Sequence, residues 1–218
     1  MKIPTLLKLC QRNLATASKP HLRQDAGFNM VELVIGMLVI AILSSIAAPG
    51  WLAFINNQRL RTSQSSVSGA LQLAQSFAKR DKIAWQASFR MQGNLVQWAI
   101  HPATTDPTTL PVSTSNSSAP NVWYSLQDNI SISTSGTGST NVNPVSGIYR
   151  AIFNRQGCIV DKADAECTDT PTAAGFSPLQ RITLQHSQLG PARKCALVMV
   201  PLGAIKTAED AATCDLNP

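Results

Sequence analysis

The most apolar stretch of the chain covers residues 31–55, and its only formal charge is Glu32. A helix needs roughly 20 residues, at about 1.5 Å of rise each, to cross the hydrocarbon core of a bilayer. This stretch is therefore long enough for a membrane-spanning helix. Glu32 is unusual at its start, because an ionised carboxylate in hydrocarbon costs on the order of a few kcal/mol unless a cation neutralises it.

Beyond Pro49 the apolar residues recur at spacings of three, four and seven, which is the period of one helix face. Polar residues such as Arg61, Gln64 and Lys79 occupy the other side. We expect one long helix whose second half packs on a globular domain, with a bend or local melting at Pro49 and Gly50, because proline cannot donate the helical hydrogen bond. The predicted packing face consists of Leu60, Val67, Ala70, Leu71, Ala74, Phe77 and Ala78.

From Ile83 the apolar period changes to two, which predicts β-strands, and Gly93-Asn94 predicts the turn of a hairpin. Stretches rich in Ser, Thr, Pro or Gly predict exposed loops at 101–120, 135–147 and 161–178, a turn at 187–194, and a mostly polar tail at 203–218. A helix followed by antiparallel strands predicts an α+β fold in which a sheet covers the helix. The predicted strands are 83–91, 96–100, 122–126, 130–134, 148–153, 158–160, 181–185 and 196–200.

The chain divides into a predicted leader (1–27), an apolar helix (28–55), an amphipathic helix (56–80) and a β-rich domain (81–218). The leader carries five Lys/Arg and one Asp, so it should stay in the cytoplasm while the rest is exported. It contributes +4 of the formal net charge of +6, and the remaining chain keeps only +2. The high pI is therefore no evidence for nucleic-acid binding.

The motif Gly27-Phe28-x-x-x-Glu32-Leu33, with a basic leader before it and an apolar helix after it, resembles the class III signal of type IV pilins and type II secretion pseudopilins. The resemblance implies cleavage after Gly27 by a prepilin peptidase and N-methylation of Phe28. It also implies that Glu32 pairs with the N-terminal amine of a neighbouring subunit. An ordinary single-pass anchor, with Glu32 at the membrane interface, is the alternative.

Cys10 lies in the leader, and four further cysteines follow the leader. Four cysteines can form two disulfides in three different pairings. Cys158–Cys167 and Cys195–Cys214 are favoured, because each pair closes a short loop in an oxidising compartment. A zinc site is the competing interpretation. It is disfavoured because there is no close Cys-x-x-Cys pair.

No motif for a catalytic triad, a phosphate loop or a zinc protease is present, so we expect neither an enzyme nor a cofactor. His101 and His186 have no nearby carboxylate in sequence and are predicted to lie at the surface or at strand ends. One basic group is of interest: Arg181, Arg193, Lys194 and Lys206 would form a DNA-contacting edge if the turn at 187–194 brought them together.

Two short segments, Ile152 to Gly157 and Gly190 to Cys195, resemble the GspH/FimT branch of minor pilins and pseudopilins. Some members of that branch bind DNA through Gly-Arg-x-Arg, and Gly190-Pro191-Ala192-Arg193 keeps only the second arginine. The resemblance implies a minor type IV pilin, anchored once in the inner membrane with a periplasmic domain and then built into a pilus with major and minor subunits. The alternatives are a type II secretion pseudopilin, a pilus subunit that binds DNA for uptake, and a membrane-anchored binding domain.

Overall fold

The computed structural model describes residues 27–113, 119–142, 144–167, 180–199 and 203–215, with the backbone but not the side chains of 46–49. Residues 1–26 of the predicted leader lie outside this range. The chain divides into two compact units, Met1–Ile46 and Ala47–Pro218. The predicted α+β class is confirmed, since one long helix is followed by antiparallel strands.

Helix α1 covers Met30–Asp81. Its burial begins at Leu60 and follows the predicted face, on which Phe77 is half-buried and the other members are buried. The prediction for Gln64 is wrong: this side chain belongs to the packing face and is only 6% exposed. It is buried because its amide nitrogen donates hydrogen bonds to the carbonyls of Cys195 and Ala208, at 2.9 and 2.8 Å.

Nine strands form two sheets among the described residues, and each ladder between named strands is antiparallel. The first sheet has the order β3-β2-β1-β5-β6 and the second the order β4-β7-β8-β9. Their bounds are β1 Trp85–Gln92, β2 Leu95–Pro102, β3 Tyr124–Ser125, β4 Ile130–Ile132, β5 Ile148–Phe153, β6 Ile159–Val160, β7 Gln180–His186, β8 Arg193–Met199 and β9 Ala204–Glu209.

Both sheets and α1 share one hydrophobic core. Alternate residues of β1, such as Ala87 and Phe89, face this core together with Leu184 of β7 and Leu71 of α1, and all four are at most 1% exposed. The amphipathic half of the helix is therefore an integral part of the domain. Ile83 does not belong to β1 as predicted: Lys82 adopts a φ of +59°, which separates helix from strand and leaves Ile83 50% exposed.

The loop predicted to be exposed at 101–120 is exposed only in part of its described range, and its first two residues complete strand β2. Residues 103–113 and 119–123 cover the outer face of the first sheet, where Leu110 and Trp123 pack with Ala99 and Ile148 in a second small core. The indole N–H of Trp123 donates to the carbonyl of Pro107 at 3.0 Å. These residues therefore bury part of the outer face of the first sheet, whereas an exposed loop would have left that face open to solvent. Residues 114–118 lie outside the description.

The tail predicted at 203–218 is structured over its described residues. It forms the edge strand β9 and a short helix α2, Ala211–Cys214. Disulfides join Cys195 to Cys214 and Cys158 to Cys167, which is the favoured pairing. The first of these bonds ties α2 to β8, and β9 pairs with β8 over six residues, so both hold the described part of the tail on the second sheet.

The two histidines that were predicted to lie at the surface or at strand ends are both buried. His101, near the end of β2, is 0% exposed, and its Nδ1 lies 3.0 Å from the carbonyl of Pro102, with Ser88 Oγ 3.0 Å from Nε2. His186, the last residue of β7, is 1% exposed, and its Nδ1 accepts a hydrogen bond from Gln188 N. Burial lowers the pKa of both imidazoles. Their strand-end position is as predicted, but their surface position is wrong.

Candidate assembly surface

Helix α1 begins at Met30, two residues after Phe28. Asn29 caps it: its side-chain oxygen accepts a hydrogen bond from Val31 N at 3.3 Å, and its carbonyl accepts one from Leu33 N at 3.1 Å. Gly27 and Phe28 precede the helix and are exposed, Phe28 by 80%. The cap was missed from the sequence, although Asn followed three residues later by Glu is a helix-start signal.

The first part of α1 buries none of its described side chains. Every described residue from 27 to 45 and from 50 to 54 is exposed. Burying any one of these large apolar side chains would contribute about 1.5–3 kcal/mol, and soluble monomers rarely leave so many uncovered. The exposed set includes Val31, Leu33, Val34, Ile35, Met37, Leu38, Val39, Ile40, Ile42, Leu43, Trp51, Leu52 and Phe54.

Glu32 lies in the first turn of α1 and is exposed among these apolar residues. Its position is favourable to a carboxylate, because the amide groups at a helix N-terminus carry partial positive charge. No ion pair or hydrogen bond to Glu32 is formed within the part of the chain that the structure describes. The carboxylate is therefore available to a cation from outside those residues.

Within the described ranges, no single helix combines the length and hydropathy needed to cross a membrane. The segments on either side of residues 46–49, Met30–Ser45 and Gly50–Asp81, have the length and hydropathy of a membrane span only when they are taken together. The predicted apolar helix 28–55 overlaps both segments and stays a prediction.

The helix break predicted at Pro49 and Gly50 falls next to this division. The backbone at both residues is helical and the Pro49 side chain lies outside the described residues, so the predicted bend or local melting stays a prediction. A Cβ atom added at Gly50 would meet nothing within 4 Å. Among the described residues, no packing contact therefore requires glycine at this position.

Arg181 was predicted to contact DNA, but its guanidinium is used within the domain. The side chain is 12% exposed and donates to the carbonyls of Ser139 and Cys214 at 2.5 and 2.6 Å. It also pairs with Asp215 at 3.3 Å. Arg181 therefore holds the loop after β4 against the C-terminal helix.

The other predicted cations do not converge with Arg181 on a free edge. Arg193 and Lys194 begin β8 instead of lying in the turn. Arg193 donates to the carbonyls of Ser135 and Thr137. Lys194 is buried and lies 2.7 Å from Glu209, and this hydrogen bond lowers the pKa of the Glu209 carboxyl.

Lys206 on β9 is the exposed member of the predicted set. Three of the four cations thus stabilise the loop, the tail and the edge strand. The sequence could not separate these roles, because a short basic cluster looks the same whether its charges face solvent or backbone carbonyls.

A cleft of about 480 Å³ lies where the end of α1 meets the turn after β5. Its charged lining residues have both signs, and two of them, Arg155 and Glu166, form an ion pair at 2.6 Å. In the described parts of the chain, no three His, Cys, Asp or Glu residues are grouped so that they could hold a metal ion. The uncovered helix with its unpaired carboxylate is therefore the feature that most needs a partner.

No family model matches the chain, and no curated protein matches it significantly. Among solved structures, it is similar to the crystal structure of the type IV minor pilin FimU from Pseudomonas aeruginosa strain PAO1. That similarity has 12% sequence identity and a TM-score of 0.39, and it covers 71% of this chain and 92% of the FimU chain.

Proposed function

We propose that the chain is a minor type IV pilin of the GspH/FimT type. A prepilin peptidase cuts it after Gly27 and the new N-terminal Phe28 is methylated. The apolar part of α1 then holds it in the inner membrane until the subunit enters a pilus. In the pilus this segment packs against the same segment of other subunits, and Glu32 pairs with the amine of a neighbour.

The observation that carries this proposal is the contrast between the two parts of α1. The more polar part is built into the core of the domain, from Leu60 to Ala78. The more apolar part, with Glu32 as its only charge, is exposed throughout its described side chains. A bilayer would cover the apolar side chains, but it would not neutralise the carboxylate, whereas a bundle of like helices supplies both cover and an amine.

The position of the helix start supports the proposed processing. A cut between Gly27 and Phe28 would leave a chain that starts one residue before the cap Asn29, with the helix intact. The mass and N-terminal sequence of the chain recovered from cells test this step. A mature chain that begins at Phe28 with one added methyl group is the expected result, and one that still contains the leader would contradict the proposal.

Glu32→Gln tests the assembly step, because it keeps the size of the side chain and removes its charge. The variant should be inserted and processed at the normal level, while its amount in sheared filaments falls about tenfold or more, as expected if the lost charge pair is worth at least about 1.4 kcal/mol. Asp128→Asn, at an exposed position of the domain, is the matched control and should assemble normally. Normal assembly of Glu32→Gln would identify a simple anchor instead of a pilin.

The same chemistry would serve a type II secretion pseudopilin. Co-isolation of the processed chain with its neighbours separates the two machines, since pilus subunits and secretion components are different proteins. Recovery with pilus subunits is the expected outcome.

A further inference from the structure

One face of α1 changes from apolar to cationic between Trp51 and Arg61. Trp51, Phe54, Gln58 and Arg61 follow one another at spacings of three, four and three residues, so they lie on the same side of the helix. Trp51 and Phe54 are 64% and 60% exposed, and their ring centres are 5.9 Å apart. We call these four residues the interfacial stripe.

A shallow depression of about 300 Å³ lies along this stripe. It is lined by Ala53, Phe54, Asn57, Gln58 and Arg61. In the direction of the chain, the lining passes from apolar side chains to amides and then to a guanidinium. A phospholipid presents groups in the same order, from acyl chain to glycerol esters to phosphate, and arginine binds phosphate through two parallel hydrogen bonds.

The distance along the chain places the stripe at a membrane surface. Trp51 follows Glu32 by 19 residues. At about 1.5 Å per residue, an α-helix of that length covers roughly 29 Å, close to the roughly 30 Å thickness of the hydrocarbon core. Aromatic side chains concentrate at this boundary because their rings are amphipathic. Arg61 follows about two to three turns later, at the depth of the headgroups.

Arg61 is free to exchange its present partner for a phosphate. Its contact with Glu209 is 3.5 Å long and both side chains are more than half exposed. Such exposed pairs contribute about 0–1 kcal/mol. Glu209 also retains Lys194 at 2.7 Å, so release of Arg61 does not leave that carboxylate unpaired.

We propose that the interfacial stripe binds a phospholipid headgroup on the side of the membrane opposite the leader, with Trp51 at the hydrocarbon boundary and Arg61 on the phosphate. This inference rests on the proposed function, because it concerns the subunit while it waits in the membrane. It adds the depth of the helix and a contact with anionic lipid.

The depth is measurable through tryptophan fluorescence. The chain has four tryptophans, and Trp85, Trp98 and Trp123 are at most 7% exposed within the domain. Lipids that carry bromine near the headgroup or near the end of the acyl chain should therefore quench Trp51 selectively. With the full chain in phosphatidylethanolamine and phosphatidylglycerol vesicles, we expect stronger quenching by the shallow bromines. Trp51→Phe should abolish that quenching.

The headgroup contact is tested by native mass spectrometry of the detergent-solubilised full chain with added phosphatidylglycerol. Arg61→Gln should lower the occupancy constant for the first bound lipid about fivefold, the effect expected for one cation near anionic lipid. Arg80→Gln is the matched control, because Arg80 is also exposed on α1 but lies 19 residues further along. It should leave lipid binding unchanged.

Several outcomes would overturn the inference. Stronger quenching by the deep bromines would place Trp51 inside the hydrocarbon, and equal lipid loss in Arg61→Gln and Arg80→Gln would remove the specific contact. Either result leaves membrane anchoring and assembly intact, so it refutes this inference without refuting the proposed pilin function. Failure of the chain to insert in vesicles would refute both.

Discussion

Gln64 is the most informative position for testing how α1 is held by the domain. Its amide nitrogen donates two hydrogen bonds, to the carbonyls of Cys195 in β8 and Ala208 in β9. Gln64→Glu keeps the shape of the side chain but turns a carboxylate oxygen toward two carbonyl oxygens. Gln64→Leu removes the hydrogen bonds without introducing a charge.

The structure gives an order of magnitude for each change. Two hydrogen bonds contribute about 1–3 kcal/mol in total, so Gln64→Leu should lower the free energy of unfolding by that amount. Gln64→Glu also leaves an uncompensated charge at a position that is 6% exposed, for which about 3–5 kcal/mol is expected at neutral pH. Gln72→Glu, at an exposed position of the same helix, should stay within about 0.5 kcal/mol of the wild type.

Urea unfolding of the full chain in mild detergent, followed by tryptophan fluorescence, measures these differences. The carboxylate introduced by Gln64→Glu should have a raised pKa in the folded state. The stability deficit relative to wild type should therefore be largest at neutral pH and shrink as the pH falls toward about 4.3, because the protonated group can donate one hydrogen bond. Equal unfolding free energies for Gln64→Glu and Gln72→Glu would show that these contacts do not hold the helix.

Two further predictions concern the domain. Burial lowers the pKa of His101 below its ordinary value of 6.5, so the unfolded chain takes up a proton at a higher pH than the folded chain, and the folded state should lose stability as the pH falls below about 6.5. In thermal melts over this range, His101→Gln should reduce that loss by up to about 1.4 kcal/mol per pH unit. An unchanged dependence of stability on pH in this variant would contradict the argument. Arg181→Met should lower the free energy of urea unfolding by about 2 kcal/mol or more, since it removes charge-assisted hydrogen bonds to two carbonyls. Lys206→Met, at an exposed position, should have little effect. Equal unfolding free energies for the two variants would mean that the contacts of Arg181 do not stabilise the domain.

The sequence predicted those elements in which periodicity and burial agree. The bounds of strand β5, Ile148–Phe153, are as predicted. β5 lies between two other strands and its alternate residues face different environments, so the period of two is clear in its sequence. The edge strand β9 was missed because it has a single neighbouring strand and exposes four of its six residues, so its composition resembles a polar tail. The pairing of Cys195 with Cys214 was a signal that this segment returns to the sheet.

Side-chain polarity misled the sequence interpretation where polar groups are satisfied inside the fold. Gln64 lies four residues after Leu60 and three before Val67, so its periodicity indicated burial while its polarity indicated exposure. The acceptors that reconcile the two belong to strands more than 130 residues away. Leu110 shows the same limitation for a predicted loop, since one isolated apolar residue does not reveal the sheet face that it covers.

Under the proposed function, the docking of α1 also fixes which side of the helix would meet the membrane. Successive residues are rotated by about 100°, so the buried positions Leu60, Gln64 and Leu71 share one side, and the interfacial stripe lies roughly a third of a turn away from it. Because Gln64 bonds to two strands at once, rotation of this part of the helix would break both contacts. The same hydrogen bonds that stabilise the domain therefore set the direction of Trp51 and Arg61, and a variant that loosens Gln64 should weaken lipid binding as well as stability.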